Sequence, residues 1–128
     1  MSHKILTVDD SRMVRLIVAK TFQPDGCDVY EACNGTDALS VAVAVVPDLI
    51  FLDITMSDIN GLVVLETMRR VETLKATPVI MLTAESGNNS IERADQLRVM
   101  GYIVKPFKGE QLLALASSIL NLPSLVTT

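Results

Sequence analysis

The chain has 128 residues, a formal net charge of −4 and a hydrophobic content of 49%. This length corresponds to one domain, and the hydrophobic content is sufficient for a substantial core. The negative charge argues against direct binding to nucleic acid or to an anionic membrane. No apolar stretch approaches the roughly 18 residues that a membrane-spanning helix needs, and the amino terminus lacks a signal-peptide pattern. Cys27 and Cys33 show no zinc or disulfide spacing, so we expect a cytoplasmic protein.

Short apolar runs alternate with amphipathic segments along the chain. The runs predict strands at 5–8, 27–31, 49–52, 78–82 and 102–104. The segments between and after them predict helices at 11–22, 37–46, 62–71, 89–98 and 108–120. Five alternations of strand and helix are typical of an α/β fold with a parallel sheet, and right-handed crossovers place helices on both faces. We expect one domain over residues 1–122 and a short tail over 123–128.

Two helix starts and two loops are predicted from local signals. Thr36 is the expected cap of the second helix, and Asn89 with Glu92 forms an expected capping box for the fourth. The stretches 57–61 and 87–90 are expected to be loops, because they combine glycine with asparagine, aspartate and serine.

Four of the five predicted strands end in a side chain that can carry out chemistry. Asp9 and Asp10 follow the first strand, Asp53 the third, Thr83 the fourth and Lys105 the fifth. The carboxyl ends of parallel strands lie at one edge of the sheet, where ligands bind. We therefore expect these residues to meet in one crevice, although each taken singly has an ordinary explanation as a turn acid, a cap or a surface lysine.

Three carboxylates in one crevice repel one another, by roughly 1–4 kcal/mol for each pair about 4 Å apart. Oxygen ligands with room for water suit Mg²⁺. A metal and the Lys105 ammonium around a carboxylate suit phosphoryl transfer, in which both neutralise charge on the transferring group. Thr83 can donate a hydrogen bond to a phosphoryl oxygen. Asp53 is then the nucleophile that forms an acyl phosphate.

At these residues the chain resembles the receiver domains of two-component response regulators, most closely the single-domain chemotaxis type in size. The motifs that carry the resemblance are VDDS at 8–11, DLIFLDI at 48–54, PVIMLTA at 78–84 and GYIVKPF at 101–107. The resemblance extends from about residue 4 to residue 120. It implies a doubly wound, flavodoxin-like fold with a five-stranded parallel sheet in the order 2-1-3-4-5.

The resemblance also implies site roles. Asp53 is expected to accept a phosphoryl group from a partner histidine kinase or phosphotransfer protein. Asp10 and Asp53 would bind Mg²⁺ directly, with the backbone carbonyl of Thr55 as a third ligand, and Asp9 would contribute through a water molecule.

Further roles follow for the residues around the phosphoryl group. Thr83 and Lys105 would contact it, and Tyr102 would turn inward as a switch when Thr83 moves towards it. Thr55 and Glu85 would tune the lifetime of the phosphorylated state. The Lys105–Pro106 peptide bond is expected to be cis.

The resemblance implies a signalling module rather than an enzyme, with Mg²⁺-dependent self-phosphorylation from small donors and self-dephosphorylation. Its output surface would be the fourth helix, fifth strand and fifth helix, which would bind a downstream protein and support homodimerisation on activation.

Three features depart from the family pattern. Ser57 replaces a frequent proline, so the loop after Asp53 is expected to be looser. The stretch 98–100 replaces a common run that begins with glycine, so the turn into the fifth strand is expected to differ. The second helix has no charged face, and Val43 and Val46 are either tolerated surface residues or part of a partner or dimer patch.

Other functions compatible with an aspartate at this position are weighed against the sequence. A Mg²⁺-dependent phosphohydrolase needs a second acid two residues after its nucleophile, where this chain has Thr55. A flavin carrier of the same fold needs a phosphate loop after the first strand, where Asp9 and Asp10 would repel the phosphate. A phosphate-independent scaffold does not require the complete set of acids, threonine and lysine.

Overall fold

The computed structural model describes residues 3–84 and 88–120, and of residues 88–91 it describes the backbone only. Strands and helices alternate along this part of the chain. The strands are β1 (Lys4–Val8), β2 (Asp28–Ala32), β3 (Leu49–Asp53), β4 (Val79–Thr83) and β5 (Gly101–Val104). The helices are α1 (Arg12–Phe22), α2 (Gly35–Val45), α3 (Gly61–Met68), α4 (Asn88–Gln96) and α5 (Gly109–Ala116). Each predicted strand agrees with the structure to within one residue at either end.

All strand pairs are parallel, and the sheet order is β2-β1-β3-β4-β5. The expected fold class and strand order are therefore confirmed. The order reverses between β1 and β3, and ligands of such folds bind outside the carboxyl ends of the strands at this point. Asp53 is the last residue of β3, so it lies in the middle of that edge.

Each face of the sheet carries its own apolar core. On one face, residues such as Leu6, Ile50 and Leu52 pack with side chains of α2, α3 and α4. On the other face, Leu49 and Phe51 pack with side chains of α1 and α5. Every residue of β3 and β4 is buried. This double burial explains why both strands are continuous apolar runs and do not alternate with polar residues.

Helix α2 begins two residues earlier than predicted, and its cap is a different residue. Asn34 is the N-cap, because its side chain accepts a hydrogen bond of 2.8 Å from the amide of Asp37. Thr36, the predicted cap, lies inside the helix, where its hydroxyl donates to the Asp58 carboxylate at 2.8 Å. Both Asn and Thr are good capping residues, and the contact with a distant loop decides between them.

The predicted loop at 87–90 is wrong for its last three positions, because α4 already begins at Asn88. Gly87 and the side chain of Asn89 lie outside the described residues, so the proposed capping box remains a prediction. At its other end α4 stops at Gln96, and Arg98 adopts a left-handed backbone conformation with φ of 63°.

Helices α3 and α5 end earlier than predicted, at Met68 and Ala116. Beyond these residues the chain continues in tighter turns, for example through the bonds from the amides of Val71 to Met68 and of Ile119 to Ala116. The apolar periodicity continues through such turns, and this is why the sequence predicts longer helices.

The boundary expected near residue 122 lies outside the described residues. Within those residues, no helix has both the length and the apolar character to cross a bilayer.

Candidate functional site

The carboxyl edge of the sheet brings together the chemically capable residues predicted there. Asp53 and Thr83 are the last residues of β3 and β4, while Asp9 and Lys105 directly follow β1 and β5. Asp9, Asp53 and Thr83 are almost completely buried, and Asp10 is exposed at the rim. Asp9, Asp53 and Lys105, separated by up to 96 positions, therefore lie together with Asp10 in one pocket, which we call the acidic pocket, and Thr83 lies at the same edge of the sheet.

Three carboxylates converge in the acidic pocket. One oxygen atom from each of Asp9, Asp10 and Asp53 lies within 4.8 Å of the others. The donor set consists of oxygen atoms, and the exposed side chain of Asp10 keeps one side open to solvent. A small hard cation that retains water ligands matches this arrangement, so the residues present fit Mg²⁺.

Lys105 supplies a positive charge to the acidic pocket. Its Nζ atom lies 2.7 Å from Oδ2 of Asp9 and 3.3 Å from Oδ1 of Asp53. Partial burial lowers the pKa of Lys105, but hydrogen bonding to Asp9 and the charges of Asp9 and Asp53 outweigh it and raise the pKa overall. Lys105 is therefore an ammonium ion at neutral pH. The Lys105–Pro106 peptide bond is cis, as the resemblance to receiver domains implies.

Asp53 is held in an unfavourable environment. Burial and the nearby charge of Asp9 raise the pKa of Asp53 from 3.8 to about 6, although Lys105 and the Thr55 amide act in the opposite direction. The Thr55 amide donates to Oδ1 of Asp53 at 3.3 Å. The site therefore destabilises the ionised carboxylate, and any cation or electrophile that neutralises it is correspondingly favoured.

Asp9 is fixed by the residues that follow it, and one of them was not identified from the sequence. The Ser11 amide donates to Oδ1 of Asp9 at 2.8 Å. The half-buried Arg15 on α1 donates through Nη1 to the carbonyl oxygen of Asp9 at 2.7 Å and through Nε to Glu31 at 2.9 Å. Arg15 thus joins α1, β2 and the start of the acidic pocket. The sequence shows only an arginine between the apolar positions of an amphipathic helix, which does not distinguish it from a surface residue.

Gly61 is a second residue that the sequence analysis missed. Its amide donates to the carbonyl oxygen of Ile54 at 2.6 Å. A Cβ atom at this position would lie 2.0 Å from the carbonyl oxygen of Asp53, so the start of α3 packs directly on the backbone of Asp53. A glycine in a predicted loop ordinarily indicates a turn, whereas here it allows close approach of two backbone segments.

Asp58 fastens the loop after β3 to the start of α2. Its carboxylate accepts hydrogen bonds from the amides of Gly35 at 2.8 Å, Thr36 at 3.0 Å and Ile59 at 2.7 Å. These amide bonds hold the pKa of Asp58 well below its usual range. The loop with Ser57 is therefore tied to a helix terminus, and the looser loop expected from the missing proline stays a prediction.

The predicted switch residue Tyr102 lies outside the acidic pocket. Its ring is partly buried against the core beside α4, and its hydroxyl donates to Oδ1 of Asp95 at 2.9 Å. Thr55 is exposed next to the pocket, and Glu85 lies outside the described residues. The contributions of Thr55 and Glu85 to phosphoryl lifetime remain predictions.

The apolar surface of α2 is present in the structure. Val43 is 53% exposed and Val46 is 43% exposed. Val46 has φ of 51°, a left-handed conformation that β-branched residues rarely adopt. The described residues do not show what contacts this surface, and both interpretations of it stay open.

Comparisons with known proteins agree with this geometry. The model of the family described as the response regulator receiver domain matches residues 5–117. Protein PilG of Pseudomonas aeruginosa is 34% identical over 86% of this chain and 82% of that protein. Sporulation initiation phosphotransferase F of Bacillus subtilis is 29% identical over 88% of this chain and 89% of that protein.

A solved structure leads to the same family. The chemotaxis protein CheY4 of Vibrio cholerae superposes with a TM-score of 0.88 at 32% identity, covering 94% of this chain and all of that one. Fold, motif positions, acidic pocket and sequence similarity thus agree. The chain belongs to the response regulator receiver domains, the phosphoacceptor signalling modules of two-component systems.

Proposed function

We propose that Asp53 is the phosphoacceptor and that Asp9, Asp10, Thr83 and Lys105 serve its phosphorylation. The observation that carries this proposal is the placement of a buried aspartate with a raised pKa between two further acids and an ammonium group. The similarity to a protein named a phosphotransferase supports transfer of a phosphoryl group. The donor is a phosphohistidine of a sensor kinase or of a phosphotransfer protein.

In the proposed step, a carboxylate oxygen of Asp53 attacks the phosphorus atom of the phosphohistidine. The new P–O bond forms as the P–N bond breaks, and the electron pair of the P–N bond returns to the histidine ring of the donor. Lys105 holds a phosphoryl oxygen with the ammonium that now lies 3.3 Å from Asp53. The Thr83 hydroxyl donates to another phosphoryl oxygen. Negative charge on the transferring group is thereby stabilised by fixed donors.

We assign the Mg²⁺ site to direct ligands from Asp10, Asp53 and the backbone carbonyl of Thr55, with Asp9 acting through water. When bound, the ion supplies positive charge that neutralises the phosphoryl oxygens. Asp9 already shares its Oδ2 with Lys105 at 2.7 Å, which suits an indirect role in metal binding. Asp10 is exposed and free to approach an ion from the open side.

The donor protein is proposed to dock beside Lys105. An apolar groove of about 370 Å³ lies there between α1 and the turn after β5. Met13, Val14 and Ile17 form its helical side, and Pro106 and Phe107 form the other. Met13 is 66% exposed, although it is apolar. An apolar surface that ends at the reactive lysine can hold a partner's phosphohistidine near Asp53.

The output is proposed to use the surface of α4, β5 and α5. Phosphorylation draws Thr83 towards the phosphoryl group and allows Tyr102 to turn inward, so that a downstream protein or a second copy is bound differently. The bond from Tyr102 to Asp95 links this residue to α4 and must break in that movement. The chemistry is confined to the protein's own aspartate in this proposal, and the protein acts in the cytoplasm on partner proteins rather than as an enzyme.

The test is intact mass after incubation with a small acyl-phosphate donor, with and without Mg²⁺, for the wild type and Asp53→Asn. We expect one Mg²⁺-dependent phosphoryl adduct in the wild type and none in the variant. Asp58→Asn is a matched control, since it removes a carboxylate from the same loop but outside the pocket, and it should be phosphorylated. An equal adduct on Asp53→Asn would refute the assignment.

A further inference from the structure

A second charged site lies at the opposite edge of the sheet. A cavity of about 390 Å³ opens at the amino ends of β4 and β5. Arg69, Lys75 and Arg98 line it together with the apolar side chains of Pro78 and Met100. None of the described residues that line it is acidic, although the chain as a whole carries a net charge of −4. We call it the cationic cleft.

Arg69 forms the fixed wall of the cationic cleft. Its Nε donates to the carbonyl of Leu97 and its Nη1 to that of Thr77, both at 2.9 Å. Longer bonds of 3.4 Å reach the carbonyls of Leu74 and Arg98. A guanidinium has five N–H groups, so these bonds to described residues leave one N–H on Nη2. Arg69 is therefore held rigidly by backbone carbonyls, and no carboxylate among the described residues forms an ion pair with it.

Arg98 has two features that are unfavourable for the stability of the fold. Its φ of 63° is a conformation that suits glycine at the end of a helix. Its charge also lies close enough to Arg69 that burial and the charge of Arg98 together lower the pKa of Arg69. In the part of the chain that the structure describes, neither arginine forms an ion pair with an acid. Both features cost stability, so the side chain of Arg98 is not explained by the packing of the described residues.

We propose that the cationic cleft binds a phosphate group, either as free phosphate or as part of a small organic phosphate. The remaining N–H of Arg69, the guanidinium of Arg98 and the ammonium of Lys75 suit a phosphate dianion better than a ligand with a single carboxylate, because several phosphate oxygens can each accept a hydrogen bond. Lys75 forms an ion pair of 3.0 Å with Glu72, and because both side chains are exposed, this pair is weak enough to give way to a phosphate. Pro78 and the 54% exposed Met100 offer an apolar wall to the remainder of an organic phosphate.

The test compares thermal unfolding of the wild type and Arg98→Gly, with a chelator present and at constant ionic strength. The ligands are inorganic phosphate, adenosine monophosphate and, as a neutral comparison, adenosine. We expect the phosphate-bearing ligands to raise the Tm of the wild type saturably. Arg98→Gly should start from a higher Tm, because the strained backbone is relieved, and should lose the ligand-dependent rise.

Val46→Gly is the matched control, because it relieves a similar positive φ of 51° at a helix end without touching the cleft. It should keep the full response to ligand. Lys75→Gln should weaken binding several-fold. A larger response to adenosine monophosphate than to inorganic phosphate identifies the organic source, and equal responses identify the phosphate group itself. The proposal is overturned if the wild type shows no saturable rise, or if Arg98→Gly responds as the wild type does.

Discussion

The end of β3 and the loop that follows it each hold an aspartate, and they shift the pKa of its carboxylate in opposite directions. At the end of β3, Asp53 is buried beside Asp9, and its pKa rises to about 6. In the loop that follows β3, the exposed Asp58 accepts hydrogen bonds from the amides of Gly35 and Thr36 at the start of α2 and from the amide of Ile59, and its pKa falls below its usual range. Both residues are aspartates in one stretch of chain.

The difference separates reactivity from structural anchoring. Asp58 is satisfied by donors from the first turn of a helix, where negative charge is stabilised. Asp53 has fewer donors and shares its pocket with two further acids. A carboxylate that the protein leaves poorly stabilised gains most from a metal ion or a covalent phosphoryl group. The contrast predicts opposite responses to substitution at the two positions.

The largest expected effect is at Gly61, where α3 packs against the Asp53 backbone. Gly61→Ala would place its Cβ 2.0 Å from the Asp53 carbonyl oxygen, and backbone atoms cannot rotate away. We expect the free energy of unfolding to fall by about 3 kcal/mol, measured by urea unfolding at neutral pH. Gly101→Ala is the control, since its Cβ would be 3.4 Å from the Leu115 side chain. Equal effects of the two substitutions would contradict the close approach.

Asp53→Asn should stabilise the metal-free protein at neutral pH. Folding raises the pKa of Asp53 from 3.8 to about 6. The wild type therefore loses stability as the pH rises through this range, because Asp53 ionises less readily in the folded state than in the unfolded state. At about 1.4 kcal/mol for each pKa unit this cost is about 3 kcal/mol, and replacement by the neutral amide removes most of it. Urea unfolding at pH values above and below this window measures it.

The gain from Asp53→Asn should disappear at pH values below the ordinary aspartate pKa, because Asp53 is then protonated in both the folded and the unfolded state. A gain that does not depend on pH, or a loss of stability at neutral pH, would contradict the conclusion that folding destabilises the ionised Asp53.

Lys105→Gln should raise the pKa of Asp53 above its present value of about 6, because Lys105 now lowers it through its charge and a hydrogen bond. We expect a rise on the order of one unit. Carboxyl-carbon NMR titration of the metal-free protein measures this directly. Lys108→Gln, three positions further on at an exposed residue, should leave the Asp53 titration unchanged. An unchanged titration in Lys105→Gln would mean that the ammonium does not act on Asp53.

Asp58→Asn should have the smallest effect, and its sign should be opposite to that of Asp53→Asn. Because folding lowers the pKa of Asp58, the carboxylate contributes stability that is present above the ordinary pKa of 3.8 and is lost as the pH falls below it. The variant should therefore have a lower Tm than the wild type at neutral pH, and the difference should shrink in acid. A higher Tm at neutral pH would contradict the anchoring role.

The sequence predicts the strands better than the connections between them. Continuous apolar runs such as that of β3 have one stable arrangement, buried on both faces, and the polar residue after each run must then lie at the carboxyl edge. This logic places Asp9, Asp53, Thr83 and Lys105 at one edge of the sheet. Helix ends are less determined, because Asn34 and Thr36 are both competent caps and the choice depends on Asp58, more than twenty positions away.

The residues missed by the sequence analysis share one property, which is that their partners are backbone groups of other elements or loops. Arg15 donates to a carbonyl at the end of β1, and Gly61 packs against a carbonyl at the end of β3. Arg69 likewise donates to carbonyls of the connection before β4 and of the end of α4. Side-chain patterns carry no record of such contacts, so only the three-dimensional structure shows them.

Chemical mapping of the phosphorylated residue tests the central claim most directly. The protein is phosphorylated with a small acyl-phosphate donor and Mg²⁺, reduced with borohydride, which converts an aspartyl phosphate to homoserine, and digested for peptide mass spectrometry. We predict homoserine at position 53 and unmodified aspartate at positions 9, 10 and 58. Homoserine at position 9 or 10, or a phosphorylated protein with aspartate intact at position 53, would contradict the assignment of Asp53 as the phosphoacceptor.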